Sequence, residues 1–266
     1  DPEFSAKVTG TVTGYGVSYE LVRVSGENAG NYTISVTNLS GIGNYDVTTL
    51  TGTFTIIPQA LLSSMIGSLQ NLVYNGGEQT TTYTVMSGSV KLVKGVDFTV
   101  SGDSGTNAGT YTLIITGEGN YVGTVSKTWS IAKKSLTIQG DSYSFKYNGQ
   151  IQSIDTFSTD GLVTGHVCEG LTYHAFQQNL GSSSGTFTGT LVIKSGSNDV
   201  TSNYAITYFV GRITIEKRAL SAGMLNVSGD YVYNGNYQYL SYVLSDMIGG
   251  VQAIHYTDYD VTENFG

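Results

Sequence analysis

Cysteine occurs once in the 266 residues, at Cys168, so no internal disulfide framework holds this fold. That scarcity fits a cytosolic protein and the exported proteins of many bacteria equally well. Histidine is present only at His166, His174 and His255, which leaves little material for acid–base or metal chemistry. Charged residues make up 12% of the chain, and basic residues (12) are outnumbered by acidic ones (20), giving a net charge of −8. Nucleic acids and anionic lipids need a basic patch, so neither is an expected partner. No run approaches the roughly 18 apolar residues of a membrane span, and no membrane insertion is expected. Strong helix formers are sparse, and no window keeps a 3.6-residue apolar period.

What is abundant points to strands. Glycine contributes 35 residues and tyrosine 20, among long runs of Thr, Ser, Val and Ile. Branched and aromatic side chains pack well on a pleated surface. The expected class is therefore all-β. At this length the chain suits two to four small modules.

Internal repetition sets the organisation. Ile56, Leu61, Met65, Tyr74, Asn75, Gly76, Gln79 and Tyr83 recur without gaps as Ile215, Leu220, Met224, Tyr233, Asn234, Gly235, Gln238 and Tyr242, all 159 positions later (for example 233 − 74). Asn44-Tyr45 recurs as Asn203-Tyr204 at the same distance. The unit is itself double, because Phe54, Trp129 and Ile213 end three equivalent strands, 75 and then 84 residues apart. Short joins follow each strand, at Pro58–Leu61, Ala132–Leu136 and Glu216–Leu220. Lacking Gly or Pro runs, they predict stacked rather than dangling neighbours.

Four pieces result. Residues 5–57 read as the later part of one module, 58–132 and 133–216 as full modules, and 217–266 as the opening part of a fourth. The first resembles the third and the fourth resembles the second. Residues 1–4, Asp-Pro-Glu-Phe, read as a cloning scar.

Several tyrosines have an expected structural role. In Asn28-Ala29-Gly30-Asn31-Tyr32 and Asn107-Ala108-Gly109-Thr110-Tyr111, a Tyr two residues after Gly30 or Gly109 predicts a tyrosine corner. The third module has Asn179-Leu180-Gly181 with Ser183 in the tyrosine's place, so its corner must be held differently. Tyr45, Tyr121 and Tyr204 each follow an Asn just before the last strand and read as core or hinge aromatics. Tyr74, Tyr147 and Tyr233 precede Asn-Gly, a pair that tolerates positive φ and closes tight turns. Trp129 aligns with Phe54 and Ile213 and is expected in the core rather than as a sugar platform.

Candidate chemistry is thin. On a strand, His166 and Cys168 would share a face and could form a metal pair or a Cys–His dyad with His174 nearby; ordinary strand positions are the alternative. Asp103-Ser104-Gly105-Thr106-Asn107 and Asn198-Asp199 could offer oxygens to calcium, or simply form Asx turns. No catalytic site, cofactor or metal is assigned. The densest aromatic segment holds Tyr231, Tyr233, Tyr237, Tyr239 and Tyr242. Tyr237, Tyr239 and Tyr242 are candidate glycan contacts, since a tyrosine ring can stack on a sugar face; the alternative places them in the fourth module's core.

The run Ser25–Ile34, followed by Gly43–Val47 and Gly52–Ile56, resembles the MBG-type repeats of bacterial surface proteins. Lys94–Val100 and Gly117–Ile131 are similar to Ig-like repeats of bacterial adhesins, and Asn198–Tyr204 fits the same class. The resemblance implies tandem Ig-like β-sandwich modules in an elongated array, in an extracellular protein of the bacterial cell surface. It also implies Lys–Asn isopeptide crosslinks in some relatives, for which Lys91, Lys94, Lys127, Lys146 and Lys194 are available. The expected function is a non-catalytic stalk whose partners are adjacent repeats. The alternatives are a module binding mucin or host glycans, and an accessory region of a large extracellular carbohydrate-active enzyme. The two partial pieces also suggest head-to-tail self-association through open strand edges.

Overall fold

The computed structural model describes residues 2–219 and, beyond them, 225–228, 232–236, 241–244, 247–248 and 251–252. The chain is all-β, and its only helical turns among these residues are single 3-10 turns at Ser63–Met65 and Thr201–Asn203. No helix among the described residues is long and apolar enough to cross a membrane. Two compact units divide the chain, Asp1–Ala132 and Lys133–Gly266. Their boundary falls in the join between the second and third expected modules.

In the first unit, Ser18–Arg23, Gly30–Ser40 and Gly52–Ile56 form a three-stranded antiparallel sheet. A four-stranded sheet follows, ordered Leu72–Val73, Thr124–Ala132, Gly109–Gly117, Phe98–Ser101. Its core shows the period of two expected of a half-buried strand. Leu113 and Ile115 are fully buried while Ile114 between them is exposed. Trp129, Ile131, Val85, Ile66 and Phe98 complete that core. Each such side chain contributes about 1.5–3 kcal/mol by leaving water.

The second unit centres on Lys134–Gly140, which lies between Phe157–Asp160 and Tyr204–Phe209. A second sheet places Arg212–Glu216 between Tyr143–Lys146 and Gly181–Ser184. A third runs Gln152–Ile154, His166–Gln177, Thr186–Ser195, Asn198–Asp199. Ile154, Tyr173, Ala175 and Ile213 form a buried cluster, flanked by Phe145, Phe157 and Phe187.

Parallel pairing is the feature that local sequence patterns did not announce. In residues 58–132 and 133–216 alike, the last strand pairs in parallel with the strand that leads into Tyr-Asn-Gly: Ile131 with Leu72, and Ile215 with Phe145. The equivalence extends to single hydrogen bonds, since the Tyr74 amide donates to the Ala132 carbonyl (2.9 Å) and the Tyr147 amide to that of Glu216 (3.0 Å). The joins are also zipped in parallel, Gln59–Ala60 onto Tyr121–Val122 and Lys134–Gln139 onto Tyr204–Phe209. Residues 2–60 differ, for none of them is fully buried.

Candidate functional site

The Asn-Ala-Gly segments form the same corner twice. The Tyr32 hydroxyl donates to the Asn28 carbonyl and the Tyr111 hydroxyl to that of Asn107, each at 2.7 Å. Each ring lies flat over a glycine six residues upstream. A Cβ on Gly26 would stand 2.4 Å from the Tyr32 ring, and one on Gly105 would stand 2.3 Å from that of Tyr111. Any larger residue would collide, so glycine and ring form one unit. In the third module, Gly185 stands 159 residues after Gly26 and has the same need: its Cβ would lie 2.2 Å from the Tyr173 hydroxyl. Here the ring comes from upstream, on the strand paired with Thr186–Ser195. Tyr173 also covers Gly140, and burial raises its hydroxyl pKa above the ordinary value. Ser183 instead donates to the Phe176 carbonyl at 2.6 Å.

Tyr45 and Tyr204 hold a turn that begins 33 and 41 residues before them. The Tyr15 amide donates to the Val12 carbonyl and the His166 amide to that of Val163, both at 3.0 Å, closing Val-Thr-Gly-Tyr and Val-Thr-Gly-His turns. The Val12 amide donates to the Tyr45 hydroxyl (3.0 Å), and the Val163 amide to the Tyr204 hydroxyl (3.2 Å). Tyr45 then donates to the Tyr15 carbonyl at 3.0 Å, whereas Tyr204 meets His166 Nδ1 at 2.7 Å. His166 is thus the third module's counterpart of Tyr15, and it is buried with Tyr204. In the second module, the Val93 amide takes the Asp97 carboxylate instead (2.8 Å). Tyr121 is half-buried and its amide donates to the Glu118 carbonyl at 3.0 Å.

All three Tyr-Asn-Gly segments make the same Asx turn. The Asn75, Asn148 and Asn234 side chains accept from the amide two residues on, at 2.9, 3.0 and 3.0 Å. The intervening Gly76, Gly149 and Gly235 have φ of 90°, 77° and 76°, a region open to glycine at no steric cost. In both full modules the turn leads into a different sheet rather than closing a hairpin.

The residues singled out for chemistry are placed as follows. His166 and Cys168 share a face of one strand, but His166 faces Tyr204 and burial raises the Cys168 thiol pKa. A register shift between Glu169 and Leu171 moves the buried side to Tyr173 and Ala175 and sends His174 outward. His174 meets Asp155 at 2.5 Å, and that bond, with another from Ser153, holds the Asp155 carboxyl below its usual range. Asp199 accepts from the Thr201 amide (2.9 Å) and hydroxyl (2.6 Å), which lowers its pKa and makes an Asx turn. Asp103 pairs with Lys94 at 3.5 Å and helps raise the Tyr83 pKa, after burial. Among the described residues no three of His, Cys, Asp or Glu gather into a metal-ligating group. Lys127 Nζ donates to the Ile66 and Gly67 carbonyls (3.1 and 2.9 Å), and Lys146 pairs with Glu216 at 2.7 Å.

A contact that sequence reasoning missed joins the first and second modules. The Ala29 amide donates to Asn120 Oδ1 (2.6 Å), and Asn120 Nδ2 donates to Asn28 Oδ1 (3.0 Å). The Asn120 carbonyl meanwhile accepts from the Gln59 amide (2.8 Å), so one residue brackets the corner, the join and the second module. Its only sequence signal was the Gly-Asn-Tyr motif, read for the tyrosine alone.

Trp129 is buried, stacked on Tyr111 at 4.8 Å with its Nε1 donating to the Gly102 carbonyl at 2.9 Å. Tyr233 is 92% exposed. Tyr231, Tyr237, Tyr239 and the side chain of Tyr242 lie outside the described residues, as does His255. No curated protein matches the chain significantly. The matched family segment contains Tyr15-Gly16-Val17, placed where the third module has His166-Val167-Cys168. Over residues 1–55 the chain matches the family model described as the MBG domain (YGX type), the repeat type its motifs resemble.

Proposed function

We propose that this chain is a spacer segment of an extracellular bacterial surface protein, in which non-catalytic repeats are bonded to their neighbours. Support for the surface setting comes from the MBG-type repeat over residues 1–55. The spacer role rests on the Asn120 bracket, because a join that is hydrogen-bonded on both sides resists bending where a free linker would not.

Asn120→Ala removes both side-chain bonds and leaves the Ala29 amide without its partner. Spin labels at Thr53 and Thr128, exposed positions on the first and second modules, report the joint, with Cys168→Ser to keep labelling specific. The wild type is expected to give one narrow distance distribution, and Asn120→Ala a clearly broader one. A wild-type distribution already as broad as the variant's overturns the spacer reading.

A further inference from the structure

Asn75 and Asn148 are each followed by glycine, and both are exposed to solvent. Their turns set up a reaction within the chain. Asn75 Oδ1 accepts from the Gly77 amide at 2.9 Å, and Asn148 Oδ1 from the Gln150 amide at 3.0 Å. That bond closes a ring whose members include both Cγ and the nitrogen of the intervening glycine. Among the described residues neither the Gly76 nor the Gly149 amide donates a hydrogen bond. Glycine also has no Cβ to shield its nitrogen. An unencumbered nucleophile therefore lies beside a carbonyl that a main-chain donor already polarises.

We infer that Asn75 and Asn148 are sites of spontaneous deamidation. The glycine nitrogen loses its proton to solvent base and attacks Cγ. The donor on Oδ1 is aimed where negative charge develops as the tetrahedral intermediate forms. The bond from Cγ to the side-chain nitrogen then breaks, ammonia leaves with a proton from water, and a succinimide remains. Water opens that ring at Cγ to give aspartate, or at the main-chain carbonyl to give isoaspartate. The balance is one water consumed and one ammonia released. Each event replaces a neutral carboxamide by a carboxylate, and isoaspartate adds a methylene to the main chain directly after Tyr74 or Tyr147.

The two sites differ in restraint. Gln178 Nε2 donates to the Gly149 carbonyl at 3.1 Å, which tethers the glycine that must move as the succinimide closes. No side chain among the described residues holds Gly76 in this way. Asn120 and Asn203 lack the free nucleophile, because the Tyr121 amide donates to the Glu118 carbonyl and the Tyr204 amide to that of Thr201. This inference is independent of the spacer reading, which concerns the joint between modules.

The test is peptide mapping by mass spectrometry after the whole folded chain is incubated in water labelled with heavy oxygen. Asn75 is expected to convert first and Asn148 more slowly, both faster as pH rises, each product carrying a single heavy oxygen. Asn120 and Asn203 are expected to stay intact over the same interval. Gln178→Ala, at an exposed position, should speed Asn148 about 2- to 10-fold, the worth of one neutral hydrogen bond, and leave Asn75 unchanged. Intact Asn75 and Asn148 overturn the proposal. So does conversion of Asn120 or Asn203 at the same rate, or a Gln178→Ala variant whose Asn148 converts no faster than in the wild type.

Discussion

Trp129→Ala should destabilise the second module by about 3–5 kcal/mol, the range for truncating a large buried aromatic. Three losses combine. The side chain is 2% exposed, it stacks on Tyr111 with an interplanar angle of 24°, and its Nε1 satisfies the Gly102 carbonyl. A cavity would also open in the core of that sheet, where Leu113 and Ile115 are the least accessible residues. Trp129 is the chain's single tryptophan, so wild-type fluorescence follows this module alone, while the variant must be followed by circular dichroism in urea. The transition assigned to the second module should move to lower denaturant, and that of the third should stay. Trp129→Phe keeps the stack and loses the carbonyl's donor, so it should cost less, about 1–3 kcal/mol. Equal stability of wild type and Trp129→Ala would remove Trp129 from the core.

In the third module two glycine substitutions separate close approach to a ring from close approach to backbone. Gly185→Ala drives a methyl into Tyr173, and Gly211→Ala drives one to 2.0 Å from the Asp141 carbonyl oxygen and 2.4 Å from that of Gly140. Overpacking of this kind costs about 1–3 kcal/mol and occasionally more. Gly211→Ala belongs at the upper end, because backbone cannot rotate away as a side chain can. The discriminating measurement is a double-mutant cycle. Tyr173→Leu removes the ring that Gly185→Ala strikes, so that pair should be markedly less damaging than the two single costs added. Additive costs in that pair would separate Gly185 from the Tyr173 ring.

Local signals carried far in this sequence, and non-local ones did not. Branched and aromatic residues pointed to strands, and Asn-Gly marked turns at Gly76, Gly149 and Gly235. The parallel pairs escaped notice because Leu72 and Ile131 stand 59 residues apart (131 − 72) with no connecting signature between them. Tyr173 was missed for a related reason. Its glycine seat kept the 159-residue register at Gly185, but the ring arrived from another strand. The Val-Thr-Gly turns at Val12 and Val163 stand 151 residues apart, not 159, because the third module inserts eight residues between that turn and Tyr204. A search locked to one period passes over them, and with them the exchange of Tyr15 for His166. The glycan candidates Tyr237, Tyr239 and Tyr242 fall where side chains are not described, so the structure adds nothing to them.

The parallel pairing in the third module governs how it would respond to tension. Force entering at Lys134 and leaving at Glu216 runs along strands whose partners point the same way: Lys134–Gln139 beside Tyr204–Phe209, and Tyr143–Lys146 beside Ile213–Glu216. Pulled from opposite ends, parallel neighbours slide past one another, and every rung between them is loaded at once. An antiparallel hairpin pulled from its two free ends instead peels one rung at a time. Placing the entry and exit strands in parallel ladders therefore converts many weak bonds into a single clamp loaded in shear.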